Sequence, residues 1–232
     1  MSLIGHGIVR TPSTVGGAGL RGEPLIVCSA AGLWLWATDA DESWTLGRPD
    51  ALEHHAIVER ICALGPCLPL RFGTLFARRE GAEAVLVARA NALREALDRV
   101  AGKTELALTL VWREAAPVPA PGGGGGPGRR FLEQRRDAQV VRDRRRARAS
   151  ELSDRLVAEL SLDPALVWHE ICTSEAVAVS LAVLTPSERA LERKADLARV
   201  ASGFPDVSAV VSGPWPPYSF SALDPARPVE VV

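Results

Sequence analysis

The chain has 232 residues, 27 Lys and Arg against 28 Asp and Glu, and 47% apolar residues. That length buries one large or two small cores, and so even a charge balance projects no global field towards nucleic acid or membrane. No apolar run reaches the roughly 20 residues of a spanning helix, and the opening MSLIGHGIVR lacks the basic start and apolar stretch of a signal peptide, so a cytoplasmic protein is expected.

Strands are predicted at GHGIV (5–9), PLIVCS (24–29) and LWLWAT (33–38) from apolar or alternating runs. GAGLRG, Gly17 to Gly22, matches GxGxxG literally, but a dinucleotide fingerprint must leave a strand and open a helix. Here a strand follows, so this is a loop. A first helix begins near Asp50, a candidate cap with Glu53 at the capping-box spacing; His54, Ile57, Ile61 and Leu64 share one face. CLPLRFGTLF (67–76) reads as a strand. A second helix is expected from about Ala82 to Val100, with Gly102 as its stop. Cys28, Cys62, Cys67 and Cys172 form no CxxC pair, and Cys62 and Cys67 beside His54 and His55 read as core cysteines near a histidine, not as zinc ligands.

APVPAPGGGGGPGRR (116–130) offers no side chains to bury, so residues 116–128 read as a flexible segment. It follows a strand, ELALTLVW (105–112), and precedes a long Arg-rich helix whose spacing becomes amphipathic at Ala149, Leu152, Leu156 and Leu160. Strands LVWHEIC (166–172) and AVAVSLAVL (176–184) come next. A helix opens at Thr185-Pro186-Ser187-Glu188, with Thr185 as cap, and ends at Gly203; VSAVVSG (207–213) is the last strand. Counted from residue 104 the order is βαββαβ, that of a ferredoxin-like plait. The expected fold is α+β in two domains, residues 1–103 and 104–232, the second carrying the long helix and the closing strip GPWPPYSF.

No residues read as catalytic, metal-binding or cofactor-binding. HEICTSE (169–175) has Thr173 where a zincin needs its second histidine, and there is no GxSxG elbow. His54 and His55, adjacent on a helix, point about 100° apart and do not converge on one ligand. Between Arg129 and Ala149 nine arginines face Glu133, Asp137 and Asp143. A nucleic-acid-binding regulator acting through residues 129–148 is thus an alternative. The run lacks interleaved aromatics beyond Phe131, which favours a solvated face paired with the protein's own acids.

In GPWPPYSF (213–220) Pro214, Pro216 and Pro217 fix φ and force extended geometry on their predecessors. With Trp215, Tyr218 and Phe220 this makes a stiff bracket suited to closing a core. Together with PLRFGTLF (69–76), HHAIVE (54–59), GRRFLEQRR (128–136) and the opening GIV, the strip resembles the gas vesicle protein L/F family (GvpL/GvpF). The two eight-residue blocks are its most specific marks, and His6 stands where an aromatic is usual. The resemblance implies a non-enzymatic accessory or minor structural protein of gas vesicles. It further implies a modified ferredoxin-like second domain, the hydrophobic shell protein and other gas vesicle accessory proteins as partners, and neither nucleic acid, membrane nor cofactor. Arg71, Phe72, Gly73, Gly213, Pro214, Trp215, Pro216, Pro217, Tyr218 and Phe220 are expected to be structural and mostly buried, with Gly73 serving a bulge or a close backbone approach and Arg71 bridging to a carboxylate or carbonyls. Trp34 and Trp36, two apart and so on one strand face, are candidate shell-binding residues.

Overall fold

The computed structural model describes residues 2–12, 14–41, 43–114, 127–172 and 174–221, with the backbone alone for 127–130. The described residues form an α+β protein with antiparallel sheets and fall into two compact units: residues up to 105 with 214 onward, and residues 106–213. The strip from Pro214 thus belongs with the first unit, although the sequence attaches it to 104–232. Of the glycine-rich stretch 116–128, only residues 127 and 128 are described.

The first unit is built on β1 (Ser2–Val9), β2 (Leu25–Ala30), β3 (Leu33–Ala40), β4 (Cys67–Pro69) and β5 (Leu75–Phe76). Their order is β2-β3-β1-β4, with β5 also on β1. The run 67–76, expected as one strand, is two short strands separated by a turn, and both pair with β1. Helix α1 (Arg48–Cys62) packs on β1 and β4, while α2 (Arg79–Ala88) and α3 (Ala90–Val100) pack on β2 and β4 respectively. The helix expected over 82–100 is broken at Arg89, whose φ of −114° and ψ of 16° leave the helical region. Asp50 is not the cap of α1. Gly47 is, and Asp50 at the third position accepts Gly47 N–H at 2.8 Å. The loop that mimics GxGxxG has a structural use: Arg21 donates to both Asp50 carboxylate oxygens, at 2.7 and 3.1 Å, and lies 4.6 Å over the Trp44 ring.

The second sheet has the order β7-β8-β6-β9, from β6 (Lys103–Trp112), β7 (Val167–Ile171), β8 (Val177–Pro186) and β9 (Val207–Trp215). Helices α4 (Pro127–Glu159) and α5 (Ala190–Ser202) supply the rest of its core. Leu106, Leu108 and Leu110 alternate inward from β6, Val179, Leu181 and Val183 from β8, and Ala149, Leu152, Leu156 and Leu160 line α4. Thr185 caps no helix: it is a buried residue near the end of β8, and a single 3-10 turn, Ser187–Arg189, precedes α5. Two arginines of the long run are spent internally. Arg148 grips both oxygens of Asp206 at 2.8 and 3.2 Å, and Arg145 lies 5.1 Å over Trp112 while bonding the Glu175 and Glu114 carbonyls.

Candidate functional site: the two signature blocks

The first block, PLRFGTLF, runs along β1. Leu70 N–H donates to His6 O at 2.8 Å and Gly5 N–H to Thr74 O at 2.9 Å, on either side of a tight turn. In that turn Arg71 O accepts Thr74 N–H at 3.0 Å and Gly73 adopts φ +83°, the geometry of a type II turn that favours glycine. Nothing would meet a Cβ at Gly73, so its role is conformational, not the close approach the sequence suggests. The close approach is at Gly5 instead, where a Cβ would sit 2.7 Å from Leu70 and 2.8 Å from Phe76.

His6 is the hinge of this arrangement. In the β1–β3 register Gly5 pairs with Ala37 and Gly7 with Trp36, leaving His6 as the extra residue of a β-bulge. A bulge re-aims a side chain, and the His6 ring enters the core, wholly buried. There its Nδ1 lies 2.9 Å from His54 Nδ1 and its Nε2 2.7 Å from Thr38 Oγ1. Both ends of the chain fix its protons. Leu70 O, 3.0 Å from His54 Nε2, can only accept, and Leu20 N–H, 3.2 Å from Thr38 Oγ1, can only donate. With both rings neutral, one direction alone satisfies every atom: Leu20 N–H to Thr38 Oγ1, Thr38 O–H to His6 Nε2, His6 Nδ1–H to His54 Nδ1, and His54 Nε2–H to Leu70 O. Burial, then the neighbouring His54 and Arg60, drops the His6 pKa to about 3, and burial likewise lowers that of His54. Phe72 meets His54 edge-on at 5.5 Å, so the histidine chain ends on the signature block itself.

The second block closes on the same unit. Its 3-10 turn, Tyr218–Phe220, packs against β4. Glu105, buried at the start of β6, accepts Ser219 N–H at 2.8 Å and Ser219 O–H at 2.9 Å. Burial raises the Glu105 pKa against the pull of those two bonds. Arg99 bonds Phe220 O at 3.2 Å and Thr104 O–H bonds Trp215 O at 2.9 Å. His55, turned away from His54, lies edge-on to Trp215 at 5.4 Å and 3.3 Å from the Tyr218 hydroxyl. Burial raises the Tyr218 pKa.

The expectation of a mostly buried signature holds for only part of it. Pro216, Pro217 and Phe220 are buried, while Phe72, Gly213 and Tyr218 are half-buried. Arg71, Gly73, Pro214 and Trp215 are exposed, Trp215 at 38%. Among the described residues the exposed Arg71 side chain bridges to no carboxylate or carbonyl. Trp36 is a core residue of the first unit, 8% exposed, and Trp34 packs half-buried against the same cluster. Trp36 therefore contributes to the core of the first unit. Sequence reasoning missed His6, Thr38, Glu105 and Ser219 as a polar framework. The one available signal was the pair of glycines flanking His6.

Among the described residues no group of three or more His, Cys, Asp and Glu is placed to hold a metal, and no helix is long and apolar enough to cross a membrane. What the geometry provides is an interlocked scaffold, two blocks far apart in sequence fastened largely within the first unit. The family model described as gas vesicle synthesis protein GvpL/GvpF matches residues 5–222, and the chain belongs to that family. Among solved structures it is similar to the gas vesicle protein GvpF from Anabaena sp. PCC7120, with 19% identity, a TM-score of 0.71 and 95% and 98% of the two chains covered. It is also similar to GvpF from Microcystis aeruginosa, at 18% identity and a TM-score of 0.72 over 95% and 99% of the chains. No curated protein matches the chain.

Proposed function

We propose that the chain is a non-enzymatic accessory or minor structural protein of gas vesicles, acting in the cytoplasm and at the vesicle by contact with the hydrophobic shell protein and other accessory proteins. The observation that carries this is the use of both signature blocks as fastenings: their buried atoms bond to β1, α1 and Glu105. In such a design the family hallmarks keep a scaffold rigid, and function falls to the surfaces it presents. A two-domain division with a ferredoxin-like second domain fits the strand order β7-β8-β6-β9 with both helices in one core. A shell subunit with one face turned to gas is an aggregation hazard in water, and a rigid partner that covers apolar or strand-edge surface relieves it. The internal use of Arg145 and Arg148 weighs against a nucleic-acid role for the arginine run.

The test is co-expression of tagged chain with the shell protein and its purification in mild buffer. Soluble shell protein retained by the chain is the expected result. Shell protein that aggregates to the same extent with and without the chain contradicts the reading.

A further inference from the structure

The sheet edges are not equally guarded. On β2 the Val27 carbonyl is taken by Arg79 at 2.6 Å, and β4 is covered by the Tyr218–Phe220 turn. On β7 the edge carries His169 and Glu170. On β9 no residue from Val207 to Ser212 is charged or proline, the pattern that sheets left open to water avoid, and Pro214 guards only its far end.

The register of β9 identifies its free groups. Arg113 N–H donates to Asp206 O at 3.1 Å, which turns the next residue, Val207, away from β6. By alternation Val207, Ala209 and Val211 direct their peptide groups to the open side, while Gly213, at φ +103°, leaves regular strand geometry. A carbonyl at each end of this stretch is occupied by a long cation: Arg113 Nε bonds Val207 O and Lys194 Nζ bonds Gly213 O, both at 2.8 Å. Between these two posts the N–H and C=O of Ala209 and Val211 face outward over a stretch of about 20 Å, six residue steps. Beside them, on the helix side, lies a groove of about 640 Å³ whose α5 wall is shortened by Ala195 and Ala198 and bordered by Leu191, 79% exposed. Among the described residues neither Arg113 nor Lys194 has a carboxylate partner.

We propose that this edge docks an extended strand of a partner protein: apolar at its centre, where a side chain fills the alanine-walled groove, and carboxylate-bearing at its flanks, where Arg113 and Lys194 wait. The partner strand continues the sheet by pairing with Ala209 and Val211. The charge of the two posts and the neutrality between them select this occupant over a basic strand. The inference rests on the reading of the chain as a contact protein and says where contact is made.

The probe is a fluorescein-labelled nonapeptide, Asp-Thr-Val-Thr-Leu-Thr-Val-Thr-Asp, titrated with full-length chain and followed by anisotropy. Saturable binding is expected, weakened at least ~10-fold by Val211→Pro, which removes an outward N–H and leaves the β6 ladder intact. Ala198→Phe, which fills the groove without touching the backbone, should weaken it comparably, and the same peptide with Lys for Asp should bind less. Absence of saturable binding, or equal binding by both variants with unchanged circular dichroism, overturns the proposal. Shell capture is read in parallel. A chain that binds the peptide but not the shell protein keeps this site and loses the shell reading. Undiminished shell capture by Val211→Pro and Ala198→Phe keeps the shell reading and loses the site.

Discussion

The two units solve the same problem with different chemistry. The second buries an apolar cluster in which alternate residues of β6 and β8 meet the leucine stripe of α4. The first threads its core with polar groups: a directional chain from Leu20 through Thr38, His6 and His54 to Leu70, and a carboxylate clamped by Ser219. An apolar core depends on filled volume and is indifferent to pH. A buried polar chain specifies one register, since an unmade bond leaves a desolvated donor or acceptor, and it is sensitive to protons.

The largest effect expected from this contrast is in the second unit. Leu156→Ala, at a fully buried position, should cost about 3 kcal/mol, equally at pH 7.5 and pH 5.5, in urea melts followed by circular dichroism. His54→Ala should cost a similar ~3 kcal/mol at pH 7.5 by orphaning His6 Nδ1–H and Leu70 O, but less at pH 5.5. The wild-type rings resist protonation in the fold and accept it when unfolded, so their contribution is complete above the unfolded pKa and is lost as pH falls below it. For His6, with a folded pKa of about 3, that loss amounts to about 2 kcal/mol between pH 6.5 and pH 5. Glu105 works in the opposite sense. Its raised folded pKa favours the fold at low pH and costs stability as pH rises through that value, so Glu105→Gln should remove a fall in stability that sets in as pH rises above the ordinary carboxylate range. Ser219→Ala should cost about 1 kcal/mol, the worth of one hydroxyl bond to a buried carboxylate. Gly73→Ala should cost a comparable ~1 kcal/mol through its positive φ, seen as a lower Tm.

What was legible in the sequence follows the same division. The leucine spacing of α4 and the alternation of β6 gave away the second unit's core because periodicity records burial directly. The break at Arg89 left no such mark, since Leu86, Leu93 and Leu97 remain in phase across it and all are buried. Asp50 looked like a cap because capping residues and capping-box partners draw on the same side-chain types. The histidine chain was illegible because its members, His6, Thr38 and His54, meet only through a bulge, and a single inserted residue changes no composition and no period. The closing strip announced its stiffness through its prolines but not its anchor, Glu105, which reads as an ordinary charged residue at a strand's start.

The claim on which the account turns is that the signature blocks hold the fold and do not grip the partner. Its sharpest test is shell-protein capture by an Arg71→Ala/Trp215→Ala variant, which alters the exposed parts of both blocks, with the Tm recorded on the same sample. Capture equal to wild type, with a Tm lowered by at most a few degrees, is the predicted result. Loss of capture at an unchanged Tm would contradict it and make the blocks themselves the binding surface.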